Sequence, residues 1–249
     1  MLFLETTVQA GRITFAHETR KAIGRTIDGY KLLSSTYVMG EFKQTFLHDA
    51  VFLHKLVSDS SSPQVALNRA ERYQNRTKDR MLRIFVQITE GHLADKRYVL
   101  SVLERYIEWQ FIDRFMKDLH SIVNQTGCER AGVQPVKAGG VYDFPIKCQK
   151  ASPPNCQIQE FLATHKKKLK LVIDGVSLLD EESQEKLESL RAILAGGLPF
   201  GNTCKDIADL IIALEVPEGA ALATTNTRHF APLAQILGGP ELLDPVPRY

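Results

Sequence analysis

The sequence predicts an α/β protein, a parallel sheet flanked by helices, and three observations carry that expectation. Short apolar runs, Leu2-Phe3-Leu4 and Ala220 to Ala223, each give way to a polar turn, as buried strands do. Segments with helical periodicity lie beside them at both ends of the chain. Between these ends, a long helical pattern and a loop-like stretch read as an insertion. Strands alternating with helices favour a parallel sheet, because parallel neighbours need a crossover between them.

Taken in order, the first strand closes in Glu5-Thr6-Thr7, a polar turn, and a helix is expected over His17 to Tyr30. Ser34 to Thr36 supply caps for a second helix running to about Ser58, with Val38, Phe42, Phe46, Val51, Phe52 and Leu56 on its apolar face. Glu41 sits one turn inside it. Ser60-Ser61-Ser62-Pro63 breaks the chain and opens a long helix to about Glu90, whose stripe is Ala66, Ala70, Tyr73, Thr77, Met81, Ile84 and Ile88. Another helix, Asp95 to Asn124, completes an antiparallel hairpin. Gly127 to Pro154, rich in Gly, Pro and Cys, reads as loop.

Regular structure returns with a helix over Gln157 to Lys168, a strand over Leu169 to Ile173 and an amphipathic helix over Asp180 to Ala195. A more apolar helix spans Cys204 to Glu215, and a last one Ala231 to Leu237, ended by Gly238-Gly239 as Gly196-Gly197 ends the helix before. The implied organisation is a core of residues 1–60 and 157–249, with 61–156 inserted.

Bulk properties exclude several classes. Of the 249 residues, 44% are hydrophobic and 24% charged, an ordinary globular composition. A net charge of +2 is too small to identify a partner, so local charge must carry that argument. No apolar run approaches the roughly 20 residues that cross a bilayer, so no membrane partner is expected. The start of the chain lacks a basic segment and carries Glu5, unlike a signal peptide. Four widely spaced cysteines do not look like a disulfide framework, and a cytoplasmic location is the plain reading.

The acidic residues suggest a chemistry. Phosphodiester hydrolysis is well served by Mg²⁺ or Mn²⁺ held by carboxylates, and an α/β sheet gathers ligands at the carboxyl ends of its strands. Glu5 ends the first strand, Glu41 follows in a helix, Asp206 and Asp209 are three apart and read as one helix face, and Asn226 follows the apolar run ending at Ala223.

Here the sequence resembles the PIN-domain family. Leu2-Phe3-Leu4-Glu5-Thr6-Thr7-Val8 is similar to its opening strand, Met39-Gly40-Glu41-Phe42 to the helix carrying its glutamate, and Asp206 to Ala213 to the segment carrying its next acid, matched to Asp209. Leu222 to Phe230, with Thr225, Asn226, Arg228 and His229, is similar to the strand and turn closing the site. The resemblance implies a metal-dependent endoribonuclease of toxin-type relatives. Glu5, Glu41 and Asp209 would be catalytic, and Glu5, Glu41, Asp206, Asp209 and Asn226 would hold Mg²⁺ or Mn²⁺. RNA is the implied partner, single-stranded or structured, with an antitoxin or other protein on the helical insertion and a homodimer as a further assembly. Three departures stand against the family pattern: Glu5 for aspartate, Thr7 for asparagine, and His229 at a place often acidic. They motivate the alternative, a catalytically degenerate PIN-like module that binds RNA or protein within a larger assembly.

Other features offer binding chemistry. Arg69, Arg72, Arg76, Arg80 and Arg83 recur at spacings of three and four, suited to bidentate phosphate contacts, though a solvated helix face fits the pattern too. The lysines from Lys166 to Lys170 form a second basic patch. Cys128, Cys148, Cys156 and His165 are residue types zinc takes, but without any Cys-x-x-Cys pair they read first as plain thiols, with a structural zinc site as the alternative.

Overall fold

The computed structural model describes residues 1–73, 75–146, 156–175, 181–196 and 202–246. Five parallel strands form one sheet in the order β3-β2-β1-β6-β7: β1 (Leu2–Leu4), β2 (Leu32–Ser35), β3 (Leu119–Val123), β6 (Ala221–Ala223) and β7 (Leu242–Leu243). A separate antiparallel hairpin pairs β4 (Val136–Ala138) with β5 (Val141–Asp143). The sheet is flanked by helices, and the α/β class expected from the sequence holds. β1 is central, with Phe3 opposite Leu33 of β2 and Leu222 of β6. All three of its side chains are fully buried, as expected for a strand covered on both faces.

Chain order runs outward from β1 to β2 and β3, then returns to β6 and β7 on the other side. The order therefore reverses between β1 and β6. Beyond the carboxyl ends of strands at such a switch point, diverging connections leave a crevice where α/β proteins bind ligands.

Helices α1 (Thr6–Thr14) and α2 (His17–Ile27) link β1 to β2. After β2 come α3 (Thr36–Phe42), a π-helical turn (Lys43–Leu47) and α4 (His48–Ser58), nearly continuous, as the periodicity over 36–58 predicts. The polar turn expected after β1 is instead the start of α1, with Glu5 as its N-cap. Gly11 lies inside this helix because the Phe15 ring and the Ile23 side chain pack where a Cβ would stand.

The central region departs from the expected hairpin. The long helix is two, α5 (Pro63–Ala70) and α6 (Asn75–Ile88), and the break leaves Tyr73 exposed while Ala66, Ala70, Met81, Ile84 and Ile88 are buried. The helix expected over Asp95 to Asn124 comprises α7 (Lys96–Arg105), a π-helical turn (Tyr106–Gln110) and α8 (Phe111–Met116). It ends because Lys117 leaves the helical conformation (ψ 132°) and Asp118 has φ of 65°, after which the chain enters β3. The β-branched pair Ile122-Val123 suits that strand, but no Gly or Pro announces the break. Both α6 and α7 pack on α4 rather than on each other as a hairpin. Because β3 pairs with β2, residues 61–156 supply a strand of the main sheet and are not simply an insertion between the halves of a core.

Beyond the β4–β5 hairpin lie α9 (Ile158–Thr164), α10 (Lys166–Asp174), α11 (Glu181–Leu194), α12 (Asn202–Asp206), α13 (Ala208–Glu215) and α14 (Thr227–Leu237). The strand expected over Leu169 to Ile173 is part of α10. Leu169 and Val172, three apart, are buried whereas Leu171 is half exposed, the spacing of a helix rather than a strand. The helix expected over Cys204 to Glu215 breaks at Ile207, whose ψ of 19° separates α12 from α13. Asp206 and Asp209 consequently do not share one helix face. α14 ends at Gly238, in the left-handed conformation (φ 69°) that favours glycine at this position. No helix among the described residues is long and apolar enough to cross a membrane.

Candidate acidic site at the carboxyl edge of the sheet

Glu5 leaves the end of β1, where its N–H donates to Ala223 O at 3.2 Å and so holds it beside the end of β6. Its carboxylate turns back on α1. Oε2 accepts the Thr7 N–H at 2.7 Å, and Oε1 accepts the hydroxyls of Thr7 and, at 3.0 Å, Thr224. The Thr7 and Thr225 hydroxyls meet at 2.5 Å. Hydroxyls from the start of α1 and from the residues after β6 thus converge on a carboxylate only 2% exposed. Burial is the main cause that pushes the Glu5 carboxyl up to about 7, with neighbouring Glu41 acting in the same direction against the threonine donors.

Glu41 reaches the same place from α3. Ser35 caps this helix, accepting the Val38 N–H at 3.1 Å, and Glu41 follows on its second turn. The Thr6 hydroxyl donates to Glu41 Oε2. Burial raises the Glu41 carboxyl above its ordinary range and nearby Asp209 adds to the rise, while the Thr6 donor and the cations Arg130 and Lys205 oppose it. Among the described residues, no lysine or arginine forms an ion pair with Glu5 or Glu41.

Asp209 lies in the first turn of α13, partly open to solvent, and its Oδ2 accepts from His229 Nδ1 of α14 at 3.0 Å. Asn226 precedes α14. Its backbone N–H donates to the Thr224 hydroxyl at 2.9 Å, and its side chain makes no capping bond. Of the residues singled out from the sequence, Glu5, Glu41, Asp209 and Asn226 gather at this edge. Asp206 does not join them, because the break at Ile207 turns it toward α11, where it accepts the Ser189 hydroxyl at 3.1 Å.

Glu41 also lines a cleft of about 390 Å³ whose walls carry Tyr37, His48, Phe52, Tyr73, Arg80 and Lys205. Arg130 completes it, with its guanidinium 5.1 Å from the Tyr37 ring centroid. Of the arginine stripe only Arg80 borders this cleft, and its Nε already donates to Asp49 Oδ2 at 2.5 Å. Arg69 donates to the Asp59 carbonyl at 3.2 Å, Arg83 stacks 5.5 Å from the Phe15 ring centroid, and Arg72 and Arg76 are exposed. Not singled out from the sequence were the threonines that donate to these carboxylates, and Arg130 and Lys205 on the walls beside Glu41. The paired Thr-Thr sequences after β1 and β6 were the available sign.

The donor set suits a hard divalent cation in part. Glu41 and Asp209 are oxygen donors that repel one another across a half-buried edge, a repulsion a cation would relieve. Glu5 fits less well, since both of its oxygens already accept hydrogen bonds. As placed, no three His, Cys, Asp or Glu side chains among the described residues converge closely enough to hold a metal. Of the candidate zinc ligands, Cys148 lies outside the described residues. Cys128 Sγ accepts from Arg130 Nε at 3.3 Å, and His165 Nδ1 donates to the Phe161 carbonyl at 2.8 Å. No family model, curated protein or solved structure matches the chain.

Proposed function

We propose that the chain is a PIN-like, metal-dependent endoribonuclease of the cytoplasm, hydrolysing phosphodiester bonds of RNA beside Glu41 and Asp209. The observation that carries this reading is the meeting of two opposite chemistries in one cleft. A half-buried carboxylate, Glu41, which has no ion pair among the described residues, shares its walls with Arg80, Arg130 and Lys205 and with the aromatic rings of Phe52 and Tyr73. Cations suit the phosphate, rings suit an unpaired base, and the carboxylate suits a water or a divalent ion.

Glu41 and Asp209 would hold Mg²⁺ or Mn²⁺, with Asn226 as a neutral neighbour, and a bound ion would supply water activation and charge stabilisation at the phosphate. Glu5 positions rather than binds: through Thr7 and Thr224 it locks the two central strand ends together. Lys205 and Arg130 orient the phosphate. The test is cleavage of labelled single-stranded RNA with Mn²⁺, Mg²⁺ or EDTA, beside Glu41→Gln and Asp209→Asn. Metal-dependent cutting lost in both variants, with folding intact, is the expected result, and cutting indifferent to chelation refutes the proposal.

A second reading, a degenerate binding module, is favoured by one observation: both oxygens of the Glu5 carboxylate already accept hydrogen bonds, from Thr7 and Thr224, and Asn226 brings no charge. Thermal melting with Mn²⁺ separates the two. Stabilisation that disappears in Asp209→Asn supports a working acidic site, because a ligand bound only to the native state raises its melting temperature.

A further inference from the structure

At the opposite, amino edge of the sheet two concavities adjoin, of about 460 and 600 Å³. One is bordered by Leu32 at the start of β2 and by Lys117-Asp118 leading into β3. The other reaches past His17 to Gln87 and Glu90 at the end of α6. Three guanidinium groups, Arg12, Arg20 and Arg114, line both, so the two spaces share one cationic wall. Lys21 and Lys117 extend the charge to either side, against three acids, Asp28, Glu90 and Asp118.

The three arginines are not equivalent. Arg12 is committed to the fold: it donates to Gln9 Oε1, to the Lys117 carbonyl at 2.8 Å and to Asp118 Oδ2 at 3.2 Å. Asp118 holds a left-handed backbone (φ 65°) as it makes that pair, and Glu90 (φ 55°) is the other described non-glycine residue with positive φ. Both of these costly conformations border this surface. Arg20 and Arg114 have no carboxylate partner among the described residues. Among the described residues the Arg20 side chain donates only to the Ile13 carbonyl at 3.3 Å, and the Arg114 guanidinium lies over Tyr106, 4.9 Å from its ring centroid. Their positions are fixed by contacts that leave guanidinium donors for a ligand. Tyr30, 47% exposed, stands on the rim.

We infer that this surface is a docking site for the phosphate backbone of a single-stranded polynucleotide, separate from the acidic edge. Fixed guanidinium forks match phosphate oxygens bidentately, and an exposed tyrosine beside them offers a stacking face for a base. A protein partner fits less well, since stable protein interfaces have an apolar centre and Tyr30 is the one large exposed hydrophobic side chain lining either concavity. The site binds irrespective of whether the acidic edge hydrolyses, so the two proposals fail independently.

The experiment uses the full chain carrying Asp209→Asn, in EDTA, and follows fluorescence anisotropy of labelled single-stranded RNA of about 16 nucleotides across a salt series. Arg20→Ala with Arg114→Ala should weaken binding by on the order of tenfold. It should also reduce the slope of log affinity against log salt by about 1.4, the loss expected for two phosphate contacts on a single strand. Removing equal charge elsewhere, with Lys166→Ala and Lys168→Ala, should change neither by as much. Arg114→Lys, which keeps the charge over Tyr106, should retain the salt slope and guards against a folding defect. Tyr30→Ala should weaken RNA binding while leaving inorganic tripolyphosphate binding unchanged. Affinity and slope unchanged in the double arginine variant, or an equal loss in the lysine control, overturns the proposal. So does tripolyphosphate competing as well as RNA at equal phosphate, with Tyr30→Ala silent, which would assign the surface to a free polyphosphate.

Discussion

Thr224 donates its hydroxyl to Glu5 Oε1 at 3.0 Å, joining the residue after β6 to the residue after β1. Those strands lie on either side of the point where sheet order reverses, and this bond with its Thr7–Thr225 neighbour spans the crevice floor. Glu5 is therefore a structural clasp as well as a helix cap. Glu5→Asp should keep the cap, since aspartate is a strong N-cap residue, but withdraw the carboxylate from Thr224. We expect Glu5→Asp and Thr224→Val each to lose stability in urea denaturation. Combined, they should show a coupling energy on the order of 1 kcal/mol, the usual net value of one buried hydrogen bond. Strict additivity would mean that the contact contributes nothing.

Two buried carboxyls make stability fall as pH rises, with Glu41 shifted in the same direction and the buried His54, lowered by burial, acting against them. Burial, opposed by the Ser35 and Thr126 hydroxyls, pushes Glu215 up to about 7, as it does Glu5. For each, the folded state holds a proton more tightly than the unfolded chain. The stabilisation is thus complete below pH 4.5, the unfolded value, and is lost as pH rises through about 7. Each rise is worth roughly 3 kcal/mol between the protonated and ionised forms. Denaturation midpoints should accordingly fall between pH 5 and pH 8. Glu215→Gln, neutral at every pH, should flatten that decline and stabilise the protein relative to wild type at pH 8. A midpoint that rises with pH over this window would contradict the assignment.

How much of this was legible beforehand depended on whether a residue's partner lay nearby in sequence. β1 and β6 are apolar runs and could be read directly. β2 could not, because Leu32-Leu33-Ser34-Ser35 ends in two serines that are fully buried. Each is satisfied at long range: Ser34 donates to the Leu4 carbonyl at 3.0 Å, and Ser35 to Glu215 Oε2 at 2.5 Å. The acidic site shows the same limit. Glu5, Glu41 and Asp209 were identifiable as acids beside strands and helices, but only the positions of Thr7 and Thr224 reveal that Glu5 is occupied. Asp206 was misplaced because a one-residue break at Ile207 leaves the apolar periodicity of 204–215 intact while rotating one acid away.

Lys43 is a further buried charge, without a carboxylate partner among the described residues. It lies in the π-helical turn after α3, only 1% exposed, and donates from Nζ to the carbonyls of Ala131 at 2.6 Å and Val133 at 2.8 Å. Burial brings its ammonium down to about 8. Lys43→Met would fill the space but leave two carbonyls without their donor, at a cost of about 1–3 kcal/mol. Hydrogen exchange should accelerate around 131–133, next to Arg130. Unchanged exchange there would show that the loop is held by other contacts.

Gly40 immediately precedes Glu41, and its hydrogen is what lets the segment around Arg130 approach α3. A Cβ at this position would stand 2.8 Å from Cys128 Sγ, closer than real Cβ atoms pack, and 3.0 Å from Arg130 Cβ, tighter than most Cβ contacts. In an unobstructed helix, Gly→Ala gains up to about 1 kcal/mol. Here overpacking, typically about 1–3 kcal/mol, opposes that gain and should win. Gly40→Ala is therefore expected to lower stability and to shift both Glu41 and Arg130, weakening cleavage more than an equally destabilising change far from the cleft. Adding Cys128→Ala removes the nearer obstruction, the sulfur, and leaves the Arg130 contact. The double variant should recover part of the stability, measured by urea denaturation. Absence of any rescue would place the strain at Arg130 alone, and Gly40→Ala as stable as wild type would mean that the segment yields freely and does not fix the Glu41 carboxylate.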